Sequence, residues 1–212
     1  MKRLLELERV RLRIATDLHD HVGSTLSSIS MFSEIARQSS ESAAPEASLV
    51  MQRVGENARS LINALRDIVW SINPENDTLD QTLLFIKQCA LEILEPKGIT
   101  ICMVIPTEPS STQLPMEQRR HFTMIFKEAM HNIVKHADCT RAEIHIERNN
   151  GTLHATISDN GKGFEPTAVA RNGASGNGLR NMQQRANALN AHLNITSQAQ
   201  RGAKITFTMK IR

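Results

Sequence analysis

Aromatic residues are scarce in this 212-residue chain, where they make up 3% of the sequence with one tryptophan and no tyrosine. Any core must therefore rest on aliphatic side chains, and 40% hydrophobic residues are enough for a soluble globular protein of one or two domains. The net charge is only +3, and no dense run of Lys and Arg is interleaved with stacking aromatics. Nucleic acid is therefore not expected as a partner.

Cysteines and long apolar runs are also few. Cys89, Cys102 and Cys139 lack the spacing of a metal site or a redox motif, which favours free thiols in the reducing environment of the cytoplasm. No apolar run reaches 18 residues and no signal peptide is present. Because the chain opens directly in a helical pattern, it also fits the cytoplasmic portion of a longer protein with a membrane segment upstream.

The first helix is predicted to continue to about Ser39 and to carry an apolar stripe at helical spacing. His19 lies about 100° from the centre of this stripe, at the border between core and solvent. A rigid element would hold its imidazole there while leaving it open to a reactant. A lone histidine in this position is more often a surface residue without a task. The stripe consists of Leu4, Leu7, Ile14, Leu18, Val22, Ile29 and Phe32.

The second helix is predicted from apolar residues in alternating steps of four and three, which form a heptad seam. The seam residues are Ala47, Met51, Val54, Ala58, Leu61, Leu65, Ile68 and Ile72. Two antiparallel helices cannot bury seams this wide alone, so we expect a homodimer that forms a four-helix bundle. Since the residue before proline resists helical geometry, Asn73-Pro74 should end this helix. We therefore expect a helical-hairpin domain over 1–73 and a second domain over 74–212.

The second domain mixes helical and strand periodicities, so the fold class of the whole chain is α+β. The pattern predicts an α/β sandwich with helices on one face of a mixed sheet. The expected helices cover 79–95, 116–137 and 178–189, and the expected strands cover 99–105, 142–146, 153–157, 193–195 and 205–209.

Glu128, Asn132, Lys135 and His136 share one face of the second of these helices, opposite its apolar residues. An amide oxygen beside a carboxylate and a cation can hold a hydrated Mg²⁺ ion together with a phosphate chain. The same pattern is typical of an ordinary solvated helix face.

Asp159 follows an apolar strand and is followed in turn by Gly161 and Gly163. Its carboxylate can accept a hydrogen bond from an exocyclic amine, and the glycines would let the backbone approach a ring closely. A simple turn has the same sequence signature.

Gly176, Gly178 and Leu179 lie at the start of the next helix. The N–H groups and the dipole of a helix N-terminus favour phosphate. If phosphate binds here, the glycine- and asparagine-rich stretch over 160–177 would be a lid over the site. The alternative is that these residues are simply the end of a flexible loop.

In this order and spacing, the three patterns resemble the nucleotide-binding domain shared by histidine kinases, type II topoisomerases and Hsp90-like chaperones. The first half is similar to bacterial two-component sensor histidine kinases whose phosphoacceptor histidine is followed directly by aspartate, the NarX/DesK-like group. That similarity rests on the stretch around Asp17-Leu18-His19-Asp20 and on the segment over 67–74.

The resemblance implies ATP- and Mg²⁺-dependent autophosphorylation of His19, followed by transfer to an aspartate in the receiver domain of a response regulator. It implies that Asp20 is the base or orienting partner of His19. It further implies that Asn132 is the Mg²⁺ ligand and that Asp159 reads adenine. The other implied nucleotide-binding positions are Glu128, Lys135, His136, Leu179 and the lid glycines Gly161, Gly163, Gly176 and Gly178.

Two positions depart from the pattern of many relatives. Ala203 replaces a threonine that would support Asp159, which predicts a lower affinity for nucleotide. Ser24 replaces a glutamine, which predicts weak phosphatase activity. Two other functions remain open at this point: a non-catalytic dimeric scaffold gated by nucleotide, and a serine kinase of the anti-sigma type.

Overall fold

The computed structural model describes residues 25, 28–29, 31–32, 35, 44–106, 112–165 and 177–211. The chain divides into two compact units, Met1–Asn73 and Pro74–Arg212. His19, Asp20 and Ser24 lie outside the described residues, so the roles expected for them stay predictions. None of the helices in the described ranges is both long and apolar enough to cross a membrane.

The described part of the first unit is helical. Helix α1 covers Ala44–Ile72, and the few residues described between 25 and 35 are also helical. The guanidinium carbon of Arg53 lies 5.9 Å from the centre of the Phe32 ring. The helix ends immediately before Asn73-Pro74, as the restriction that proline places on its preceding residue predicts.

The described part of the second unit contains a five-stranded sheet and three further α-helices. The helices are α2 (Leu79–Leu94), α3 (Met116–Asn132) and α4 (Asn177–Ala188). The strands are β1 (Thr100–Val104), β2 (Arg141–Asn149), β3 (Thr152–Asp159), β4 (His192–Ser197) and β5 (Ala203–Lys210). The order in the sheet is β1-β2-β3-β5-β4. Strand β1 runs parallel to β2 and the other pairings are antiparallel, which confirms the expected mixed sheet.

One face of this sheet is buried and carries the helices. In β2 the side chains alternate between the core, as at Ile144, and solvent, as at His145, because successive residues of a strand point to opposite faces. Phe122 packs against Phe126 and Phe207 with ring centres 5.0 and 5.2 Å apart. Three of the few aromatic residues of the chain are therefore concentrated in this core.

Helix α3 ends earlier than the expected boundary at residue 137. After Asn132 the chain makes one π-helical turn, Ile133–Ala137, and leaves it at Asp138 with φ of 54°. Single π turns within α-helices are frequent at functional sites because they redirect the side chains that follow. The α-helical spacing assumed for Lys135 and His136 is therefore replaced by a wider turn.

A short bridge fixes the entry to the second unit. The N–H of Leu79 donates to the carbonyl of Thr112 at 2.9 Å, and the N–H of Leu114 donates to the carbonyl of Asp77 at 2.7 Å. The carboxylate of Asp77 is also paired with the guanidinium of Arg119, whose side chain is completely buried in α3. The first residues after the boundary are thus bound to the helix that carries the predicted phosphate-binding residues.

Candidate functional site

A cavity of about 300 Å³ opens between the end of α3, the π turn and the sheet. Its lining residues come from both sides of the sandwich: Ala129, Asn132, Ile133, Lys135, His136, Ala137, Ile157, Asp159, Lys162, Gly163, Phe164, Leu179, Ile195, Ala203 and Ile205. The three sequence patterns, distant in the chain, are therefore brought to one place.

The lining is mostly apolar, and its charges are few. Asp159 is the only carboxylate among the lining residues that the structure describes, whereas Lys135, His136 and Lys162 provide basic side chains. An apolar cavity with a few placed polar groups is typical of small-molecule sites, because burial supplies affinity and the polar groups fix orientation. This combination suits a flat ring with one hydrogen-bond donor and an anionic tail.

Asp159 ends β3 and is half-buried at the wall of the cavity. Its Oδ1 atom accepts a hydrogen bond from the N–H of Gly161 at 2.9 Å. Burial raises the pKa of its carboxyl, while the backbone N–H groups of Gly161 and Ala203 act in the opposite direction. The carboxylate is thus supported by backbone donors at the position where Ala203 offers no hydroxyl.

Asn132 is the last residue of α3, and its side-chain Nδ2 atom is buried without a hydrogen-bond partner in the described part of the chain. A buried polar atom left unpaired costs free energy, so a ligand that pairs with it is favoured. Its amide also carries an oxygen of the type that Mg²⁺ binds. No group of three or more His, Cys, Asp or Glu that could hold a metal occurs in the described ranges. Mg²⁺ in nucleotide sites usually takes only one or two protein ligands and the phosphates, so the residues fit this ion.

Glu128 lies one turn before Asn132 but does not line the cavity. Its carboxylate faces the first turn of α4, where a Cβ added to Gly178 would overlap the Glu128 Oε1 atom and lie 3.6 Å from Asn132 Nδ2. Glycine at 178 therefore allows α4 to begin directly beside the end of α3. The next residue, Leu179, lines the cavity, and Gly176 lies outside the described residues.

The two glycines after Asp159 differ in what they approach. Gly161 packs against the backbone of Ala137, where an added Cβ would overlap the carbonyl oxygen, and the N–H of Lys162 donates to that same carbonyl at 2.8 Å. Gly163 lines the cavity. Gly161 therefore joins the turn after β3 to the π turn, whereas the sequence had suggested an approach to a ring.

Two basic residues of the cavity lie in the π turn. The turn places Lys135 and His136 at the exposed rim of the cavity beside Asn132. His131, one residue before Asn132, has a pKa lowered by burial and by the ammonium groups of Lys127 and Lys135. The imidazole of His131 therefore favours its neutral form beside these cations.

Several residues that build the site could not be singled out from the sequence. The side chain of Asn160 accepts the N–H groups of Thr140 and Arg141 at 3.1 and 3.0 Å and so fixes the turn after β3. The hydroxyl of Ser197 contacts the segment after Gly163. The Asp-Asn-Gly sequence signals only a turn, and a serine at the end of a strand signals nothing.

This fold and this cavity define a nucleotide-binding domain of the class shared by histidine kinases, DNA gyrase B and HSP90-like ATPases. The model of that family matches residues 117–212. A histidine kinase family model matches residues 10–77, which include His19 and α1.

The chain belongs to the sensor histidine kinases, in the DesK-like subfamily. It is 31% identical over 208 residues to the sensor histidine kinase DesK of Bacillus subtilis, covering 97% of this chain and 52% of that protein. It is 26% identical to LiaS of the same organism, covering 95% of this chain and 54% of the relative. The chain therefore spans about half the length of these curated relatives.

The fold is also shared with a solved structure, the histidine kinase domain of the blue-light activated kinase from Erythrobacter litoralis EL346. The TM-score is 0.57 at 13% identity, with 89% of this chain and 94% of that domain covered. This likeness supports the architecture of a helical domain followed by an α/β ATPase domain.

Proposed function

We propose that this chain is the kinase core of a two-component system, which autophosphorylates His19 from ATP and passes the phosphoryl group to a response regulator. The observation that carries the proposal is the arrangement around the cavity. Asp159, the one carboxylate among the described lining residues, lies on the apolar wall, and the buried Nδ2 atom of Asn132, which has no hydrogen-bond partner in the described part of the chain, lies beside the basic rim. One end therefore suits adenine and the other suits a phosphate chain.

Each residue then has a chemical task. Asp159 accepts the exocyclic amine of adenine, while the isoleucines of the cavity cover the ring. Lys135 and His136 attract the phosphates, and Asn132 provides a ligand for Mg²⁺. When bound, Mg²⁺ neutralises charge on the phosphate oxygens. Catalysis of phosphoryl transfer otherwise depends on positioning and charge neutralisation, which side chains on rigid elements can supply.

The acceptor step requires a neutral imidazole. A ring nitrogen of His19 forms a bond to the γ-phosphorus, the bond from that phosphorus to the β,γ-bridging oxygen breaks, and ADP leaves. Asp20 orients the ring by binding its other N–H or takes up the proton that the ring loses. The phosphoryl group then passes to an aspartate of the regulator's receiver domain. We further propose that the active form is a homodimer, because the heptad seam of α1 needs a partner surface.

Labelling with γ-³²P-ATP tests this function. Wild-type protein should acquire a label that is lost in acid and retained in alkali, the behaviour of phosphohistidine. His19→Gln should carry no label and should bind Mg·ADP as the wild type does. His21→Gln is the matched control, because it removes a histidine two residues away, and it should label normally. An acid-stable label would favour the serine kinase instead, and nucleotide binding without any label would favour the scaffold.

A further inference from the structure

Ser197 ends β4 at a place where three segments of the second unit meet. Its hydroxyl accepts the N–H of Phe164 at 2.8 Å and donates to the carbonyl oxygen of Gly202 at 2.8 Å. A hydroxyl has one donor and can accept as well, so both functions are used here. Ser197 thus connects the segment after β3 with the turn between β4 and β5.

The backbone around this hydroxyl is closely packed. Gly163 has a φ of 61°, and a Cβ there would overlap the carbonyl oxygen of Gln198. A Cβ added to Gly202 would likewise overlap the carbonyl oxygen of Asp159. The N–H of Gln200 donates to the carbonyl of Lys162 at 2.7 Å. The β4–β5 turn therefore holds residues 162–164 from one side, and Ser197 contributes the side-chain part of that contact.

Phe164 and Ala203 are the cavity residues most directly affected. Phe164 lines the cavity, and its backbone N–H donates a hydrogen bond to the hydroxyl oxygen of Ser197. Ala203 also lines the cavity and follows the carbonyl to which Ser197 donates. Ser197 itself does not line the cavity, so any influence on a ligand must pass through these two neighbours.

We propose that Ser197 is a positioning residue for nucleotide binding, whose hydroxyl fixes Phe164 against the adenine end of the cavity. This proposal rests on the function proposed above and deepens it. Without the hydroxyl, the half-buried N–H of Phe164 loses its partner and the segment is free to move away from the base. Affinity for adenine nucleotides then falls, while chemistry at His19, which Ser197 does not touch, is unaffected.

Ser197→Thr and Ser197→Val form a matched pair, since the two replacements have the same shape, suit a strand and differ in the hydroxyl. Titration calorimetry of the full chain with Mg·ADP should give a Kd within about twofold of wild type for Ser197→Thr. The Kd of Ser197→Val should rise about tenfold, the change expected when a half-buried amide loses its hydrogen bond. Equal constants for the two variants would overturn the proposal. Ser197→Ala, which adds no bulk, replaces Ser197→Val if that variant does not fold.

A double-mutant cycle separates positioning from general stability. In a Phe164→Ala background, Ser197→Val should change the Kd by less than about twofold, because the ring it positions is already gone. A further tenfold loss there would overturn the proposal. In the labelling assay, Ser197→Val should raise the KM for ATP and leave the rate at saturating ATP within about twofold; a lower saturating rate at unchanged KM would also overturn it.

The outcomes also distinguish this proposal from the one on which it rests. If wild-type protein binds Mg·ADP and acquires the acid-labile label, yet Ser197→Thr and Ser197→Val behave alike, only the role of Ser197 is wrong. If wild-type protein binds no adenine nucleotide, the proposed function is wrong and the role of Ser197 is wrong with it.

Discussion

The two units differ in how completely they bury their apolar residues. In the second unit, apolar side chains from all three helices and from β2, β3 and β5 form one buried cluster. In the first unit, Ser71 is the only described residue that is fully buried. The described seam residues Val54, Ala58, Leu61 and Ile68 are half-buried, and Ile72 is 41% exposed. The second unit therefore completes its own core, whereas the seam of the first retains surface for a partner.

This difference suggests that the two units have different functions. A unit with a closed core can hold a cavity with fixed walls, which a nucleotide site requires. A helix with an incompletely buried seam is suited to pairing with another copy of the chain. The following predictions test whether binding belongs to the second unit and pairing to the first, beginning with the largest expected effect.

Replacing Asn132 should remove phosphorylation and leave pairing intact. Asn132→Ala deletes the amide that we propose as the Mg²⁺ ligand, so labelling at His19 should fall at least about a hundredfold. The molar mass from light scattering should not change. Asn194→Ala, which removes an exposed asparagine of β4, is the control and should label normally. Labelling of Asn132→Ala within tenfold of wild type would contradict the assignment.

Breaking the ion pair at the start of the second unit should destabilise that unit alone. Asp77→Asn leaves the buried guanidinium of Arg119 with a neutral partner. The expected loss is about 2 kcal/mol, below that of a fully buried pair, because Asp77 is 44% exposed and solvent screens its charge. Urea unfolding, monitored through the loss of ADP binding, should show this decrease in the free energy of unfolding. Glu147→Gln, at an exposed acid of β2, should shift the midpoint little.

Dilution should separate the two units by their dependence on concentration. If the seam of α1 pairs two copies, a tenfold dilution should lower the Tm of a fragment over 1–73 by several degrees, because dimer stability depends on protomer concentration. A fragment over 74–212 should melt at the same temperature at both concentrations and should still bind ADP. Identical behaviour of the two fragments in differential scanning calorimetry would refute the contrast.

The sequence predicted regular features better than local departures from them. Alternation located β2 and β3 because a half-buried sheet requires a period of two. The π turn after Asn132 could not be predicted, since its residues fit an α-helix equally well and the turn depends on contacts such as Lys162 N–H to the carbonyl of Ala137. The burial of Arg119 was also missed, because its partner Asp77 lies 42 positions away.

The site follows the same rule. The sequence singled out Asp159 and Asn132, both of which line the cavity, because they lie at the ends of strongly patterned elements. It did not single out Ser197, because the contact between its hydroxyl and the N–H of Phe164 joins residues more than thirty positions apart, which no local pattern records. Such contacts arise only once the sheet has formed.

The smallest predicted effect concerns Asp159, where stability and binding should oppose each other. Because burial raises the pKa of this carboxyl in the folded, nucleotide-free protein, its contribution to stability is fully present below the unfolded-state pKa and is lost as the pH rises through the higher folded-state pKa. At pH 7 the ionised group therefore carries a cost. Asp159→Asn removes the charge and keeps an oxygen that can accept the Gly161 N–H.

The nucleotide-free Asp159→Asn variant should consequently be more stable than wild type at pH 7 by about 0.5 kcal/mol, a small gain because the carboxyl is only half-buried and water screens it. This advantage should disappear near pH 3, about one unit below the ordinary aspartate pKa of about 3.9 in the unfolded state, where the wild-type carboxyl is largely protonated in both states. Its affinity for Mg·ADP should fall about ten- to a hundredfold at pH 7, since the adenine amine loses a charged acceptor. Melting curves at both pH values, without nucleotide and with saturating ADP, measure all three effects. A variant less stable than wild type at pH 7 would refute the cost assigned to the ionised carboxyl, and one that binds ADP equally well would remove Asp159 from the adenine site.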